Sequence, residues 1–239
     1  MYRPRSSRLV VLAAALSAAL LAVSCSNTGT TKDAAPDKQA STTPEPTEFS
    51  GYVRTPPLDV SSVTLPAVSG ELVNMVAEPG GLRIVYFGYT TCPDVCPMTL
   101  GHVKVALGDQ TATDRERVQV DMITIDPSRD TSEKLTAYLD NFVSDANALR
   151  TEDPYLLRAS AKAFGADFSV SVDGEGKRQV AHTADVYVVD DTGIVVLAWA
   201  FGTAGGDISR DLSKLLAGDR PGRDEPADDT TGTTIREEQ

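Results

Sequence analysis

Two thiols four residues apart, in Cys92-Pro93-Asp94-Val95-Cys96, carry the clearest chemistry in this 239-residue chain. They follow the apolar run Ile84-Val85-Tyr86-Phe87 and precede a stretch, Pro97 to Leu107, that reads as a helix opening. At such a strand-to-helix junction both sulfurs can reach a common point. There they can close a disulfide or clamp a soft metal ion. A helix N-terminus offers unpaired N–H groups and the positive end of the dipole, both favouring thiolate over thiol. The chain has three cysteines and two histidines, His102 and His182, so a transition-metal site has few ways to be built. The third cysteine, Cys25, ends a leader-like segment and leaves no material for a separate disulfide framework.

The elements that must position these thiols alternate β and α. Val60 to Leu65 and Gly70 to Val76 read as short strands. Leu82 to Phe87 is a nearly continuous apolar run, as a strand covered on both faces requires. Val118 to Ile125 is a second buried strand, stopped by Asp126-Pro127. Asp130-Thr131-Ser132-Glu133 opens a helix with Leu135, Leu139 and Phe142 at helical spacing. Asp153 to Phe164 is a further helix. Phe168 to Val172, Asp185 to Val189 and Gly193 to Ala200 read as strands, the last two joined by the turn Asp190-Asp191-Thr192-Gly193. Ile208 to Leu216 is a final helix. This order predicts an α/β sandwich around a mixed sheet.

The flanks have other roles. Arg3, Arg5 and Arg8 precede an uncharged apolar stretch, Leu9 to Val23, too short for a bilayer span of about 20 residues. That pattern predicts a signal peptide over residues 1–24. Ala22-Val23-Ser24-Cys25 resembles a bacterial lipobox, which implies lipidation of Cys25 and an anchor on the outer face of the cell membrane. Residues 25–54 then read as a tether and 55–218 as the folded domain. Residues 219–239 read as an acidic tail. Ser26 to Thr47 lacks any aromatic or large aliphatic residue and cannot offset chain entropy by burial. The net charge of −12 argues against a nucleic-acid partner, whose phosphates need a basic surface. A tethered monomer is the default expectation.

Tyr86-Phe87-Gly88-Tyr89-Thr90-Thr91-Cys92-Pro93-Asp94-Val95-Cys96-Pro97 resembles the signature of the SCO/SenC family, thioredoxin-like copper-binding assembly factors of cytochrome c oxidase. Three further stretches fit the same family: Ile125-Asp126-Pro127-Ser128-Arg129-Asp130-Thr131, His182-Thr183, and Trp199-Ala200-Phe201-Gly202. The resemblance runs from about Thr55 to Ala217. It implies a thioredoxin-like fold and a copper ion held by Cys92, Cys96 and His182. It also implies a chaperone role toward the CuA centre in oxidase subunit II, rather than an enzyme. The donor chemistry agrees, since soft thiolates select copper(I) and imidazole accepts either oxidation state. The other reading is a thiol–disulfide oxidoreductase that reduces the cysteines of such a site with Cys92 and Cys96. A peroxiredoxin is weaker, because both cysteines share one short loop.

The sequence departs from the family at Ala181, where an acidic residue is usual before the histidine and could orient the imidazole. Other residues have simpler explanations. His102 reads as a plain helical residue and Met98 as a core methionine. Asp126 and Asp130 read as a strand end and a helix N-cap. Asp94 fits a local cap or an acidic contact for a partner.

Overall fold

A computed structural model describes residues 48–221. The signal segment, Cys25, the tether up to residue 47 and the tail from residue 222 lie outside the described residues.

The centre of the fold is β4 (Leu82–Gly88), in which every residue but Arg83 is buried. Such a strand needs a neighbour on each edge and a layer on each face. On one edge it pairs in parallel with β5 (Val118–Thr124), and β5 pairs in parallel with β6 (Asn147–Leu149). On the other edge it meets β9 (Val186–Val189) antiparallel, followed by β10 (Ile194–Trp199) and β1 (Leu58–Asp59). The sheet order is β1-β10-β9-β4-β5-β6. The crossover from β4 to β5 contains α1 (Val95–Gly108) and a short α2 (Ala112–Glu116). That from β5 to β6 contains α3 (Ser132–Leu139), capped by Thr131, whose hydroxyl accepts from Lys134 N. Two helices complete the layers, α4 (Pro154–Ala163) and α5 (Gly205–Ala217). Pro154 sits in the first turn of α4, where its missing N–H costs nothing. This is the expected mixed α/β sandwich.

Two small sheets stand apart from the main one. The pair predicted near residues 60–76 is β2 (Thr64–Pro66) with β3 (Leu72–Asn74). The other is a hairpin of β7 (Phe168–Val172) and β8 (Arg178–His182), turning at Asp173, whose carboxylate accepts from the N–H groups of Glu175 and Lys177. The turn between β9 and β10 falls where expected, with Gly193 at φ +79°. A Cβ there would meet Ser61 at 2.6 Å, so the position requires glycine twice over.

The packed domain begins ahead of Thr55. Ser50 N and Gly51 N donate to the Asp211 carboxylate at 3.0 and 2.9 Å, and Tyr52 bridges to Ala198. Asp211 also accepts from the Trp199 indole N–H at 2.8 Å, and both side chains are fully buried. A buried indole N–H needs such a partner. One carboxylate on α5 therefore ties the entering chain to the end of β10.

Candidate metal centre

The site lies at the carboxyl end of β4, where the chain leaves the sheet for α1. The exit loop is fixed from beneath by Asp130. Its fully buried carboxylate accepts from Thr90 N at 3.1 Å, Thr90 Oγ1 at 2.6 Å and Thr124 Oγ1 at 2.6 Å. Asp130 is thus a loop anchor and not the expected N-cap, a task that falls to Thr131. Cys92 N then donates to Tyr89 O at 3.3 Å, closing a turn that aims Sγ inward.

Cys96 lies in the first turn of α1, as expected, and its backbone N–H donates to Sγ of Cys92 at 3.3 Å. The helix end therefore does present a donor to a sulfur. Cys96 itself behaves otherwise: burial pushes its thiol up to about 12. Both cysteines are free and buried, Cys92 at 9% exposure and Cys96 at 0%.

The third group arrives on the hairpin. His182 ends β8, opposite Phe168 on β7. Its Nε2 lies 3.9 Å from Sγ of Cys96, and its Nδ1 lies 2.8 Å from Thr183 O. A carbonyl can only accept, so Nδ1 carries the proton and Nε2 turns its lone pair toward the thiols. Burial lowers the pKa of His182, which favours the neutral ring that a metal needs. Tyr86 and Tyr89 pack edge-on against the imidazole at 6.2 and 5.8 Å between centroids. The ligand atoms of Cys92, Cys96 and His182 all lie within 4.8 Å of one another. Among the described residues, no other group of three His, Cys, Asp or Glu side chains gathers in this way.

Residue 181 cannot orient the imidazole. Ala181 is exposed and pairs with Ser169 on the opposite face of the hairpin from His182. The backbone carbonyl of Thr183 holds the ring instead.

The hairpin is clamped to the body by Asp126, fully buried at the end of β5. Arg178, on the same face of β8 as His182, reaches Asp126 at 2.8 Å and also donates to Ser128 Oγ at 2.8 Å. Arg129 pairs with the same carboxylate, and its guanidinium lies 5.8 Å from the Tyr89 ring centroid. Sequence reasoning passed over Arg178. A charged residue ending an apolar strand demands a buried counter-ion, and that demand was the available signal. Met98 is 47% exposed and not in the core. His102 is half-buried on α1 and outside the cluster. Asp94 is the exposed N-cap of α1 and makes no side-chain capping bond.

Comparison with known proteins gives one family. The profile of SCO1/SenC matches residues 60–217. A protein of Stutzerimonas stutzeri whose name refers to copper binding is 36% identical over 130 residues, 52% of this chain. The match covers 63% of that relative, so the chain spans less than two thirds of its length. The solution structure of apo Sco1 from Thermus thermophilus aligns with a TM-score of 0.62 at 31% identity, covering 70% of this chain and 96% of that one. The copper-bound structure of ScoI from Bradyrhizobium japonicum aligns at 0.55 and 26%, covering 66% and 96%.

Proposed function

Because the chain belongs to the SCO1/SenC family, we propose that it is a copper chaperone, loading one copper ion on Cys92, Cys96 and His182 and passing it to the CuA centre of cytochrome c oxidase subunit II. The observation that carries this reading is the convergence of two thiols and a bare Nε2 within 4.8 Å. Two thiolates and one neutral imidazole form a soft, three-coordinate set suited to copper(I). Uptake displaces the thiol protons, and the aromatic wall of Tyr86 and Tyr89 shields the ion from water. The copper-bound Bradyrhizobium relative supports the same cargo.

Thiol–disulfide exchange fits the site less well. An attacking sulfur must be accessible and substantially ionised. Cys96, fully buried and with its proton held more tightly by burial, is not suited to be that attacking sulfur, which leaves the role to Cys92. His182, which exchange does not require, is nevertheless built into the cluster.

The His182→Ala variant separates the two roles. Copper affinity of the purified protein should fall by at least the roughly 10–100-fold that loss of a group supporting a ligand costs, while two thiolates remain to hold the ion. Oxidase activity in cells carrying the variant should fail at limiting copper and recover when copper is added. Normal oxidase activity at limiting copper would overturn delivery and promote the reductase.

The chaperone is anchored by a lipid on Cys25, outside the cytoplasm. The basic leader, short apolar core and Ser24-Cys25 boundary support this placement. Cys25→Ser should move the protein from the membrane fraction to the soluble fraction or block its processing. An unmodified mature N-terminus at another residue, seen by mass spectrometry, would refute the anchor.

A further inference from the structure

The copper site contains a polar group that no step so far employs. Tyr86 lies on the central strand at 1% exposure, and its hydroxyl is buried without a hydrogen-bond partner among the described residues. It is next to Thr99 and to Cys96, near enough to bear on the Cys96 thiol yet outside the geometry of a formed hydrogen bond. The Thr99 hydroxyl is already committed as donor to Val95 O at 2.8 Å. A buried hydroxyl left unpaired is destabilising, and this one stands beside a ligand sulfur that could accept from it.

We propose that the Tyr86 hydroxyl is a positioning donor for the Cys96 sulfur, engaged when a metal has replaced the thiol proton. This inference rests on the copper reading above. A protonated thiol is a weak acceptor and gives the hydroxyl little to bind. A metal-bound thiolate is a strong one, and an O–H directed at it forms a charge-assisted bond. The hydroxyl proton stays on oxygen throughout; what changes is the acceptor. The donor is rigidly placed. Tyr86 is held in register between Met122 of β5 and Val186 of β9, and its ring packs on His182. The loaded state would thus gain a bond that the empty state lacks, which biases the site toward holding metal.

Tyr86→Phe tests this, because it deletes one atom and keeps the ring. Tyr187→Phe is the control: its hydroxyl is also buried and unpartnered, but its ring packs against Phe87 and Phe164 instead of the imidazole. Both variants of the full-length protein should melt, without copper, at or above the wild-type temperature, since each loses an unpaired polar group. Copper affinity by chelator competition should fall about 10–100-fold in Tyr86→Phe and stay unchanged in Tyr187→Phe. The thiolate-to-copper(II) charge-transfer band should shift to lower energy in Tyr86→Phe alone, because an unbonded thiolate gives up charge more readily. Wild-type affinity and band position in Tyr86→Phe would overturn the proposal. So would a lowered melting temperature of its copper-free form, which would make the hydroxyl structural. Failure of the wild-type protein to bind copper would be a separate result, removing the chaperone reading along with this one.

Discussion

Purified Cys92→Ser and Cys96→Ser proteins should each lose tight copper binding. The drop should exceed the roughly 100-fold upper range seen when a group merely supporting a ligand is removed. These are the only thiols among the described residues, and a serine hydroxyl neither ionises near neutral pH nor matches copper in softness. The fold should survive, because the swap is nearly isosteric. Metal analysis beside circular dichroism reads both effects. Stoichiometric copper in the Cys92→Ser, Cys96→Ser double variant would sink the site. The same protein predicts a pH effect in the copper-free state. The Cys96 thiol rises from its usual 9 to about 12 on folding, so the folded state holds this proton more tightly. The associated stability is fully present below pH 9 and is lost as pH rises toward 12. Urea melts of Cys96→Ser should lack that alkaline decline.

Asp211→Ala should be the most damaging change away from the metal centre. Its carboxylate serves the backbone N–H groups of Ser50 and Gly51 and the indole N–H of Trp199, and no basic side chain shares the position in these contacts. Deleting it strands three donors, the Trp199 one in full burial, at a cost of about 3–5 kcal/mol. For a domain of this size that lowers the melting temperature by about 10 °C. Asp211→Asn retains one acceptor oxygen and should lose about half as much. A melting temperature within 2–3 °C of wild type in the alanine variant would show that water or rearrangement serves these donors instead.

Legibility followed the apolar signal. β4 and the β9–β10 pair are nearly unbroken apolar runs, β5 alternates apolar and polar residues, and the sequence places all of them within a few residues. The helices over 95–108 and 154–163 announce themselves through proline in the first turn and spaced leucines. β8 was illegible because Arg178-Gln179-Val180-Ala181-His182 contains one large aliphatic residue and half of it faces solvent. β6 is three residues long and needs β5 beside it to exist as a strand. In the metal centre the two thiols declared themselves by spacing. His182 entered through a family resemblance, since nothing local separates it from a surface histidine. Asp130 was misread because burial is a tertiary property: it sits one residue before a good capping threonine, and only the folded loop directs it at Thr90 and Thr124.

The hairpin that carries His182 pairs with no strand of the main sheet, whereas both thiols are rooted in the central strand's exit and the first turn of α1. The three ligands are therefore anchored in different parts of the fold. If the protein delivers copper as proposed, an ion held here would be able to shed its imidazole first while two sulfurs keep hold, which would open a coordination position toward an incoming acceptor. Transfer by such associative exchange would replace one donor at a time without passing the ion through water. On that reading the Arg178–Asp126 pair, as the clamp on that hairpin, would set how readily the first exchange begins.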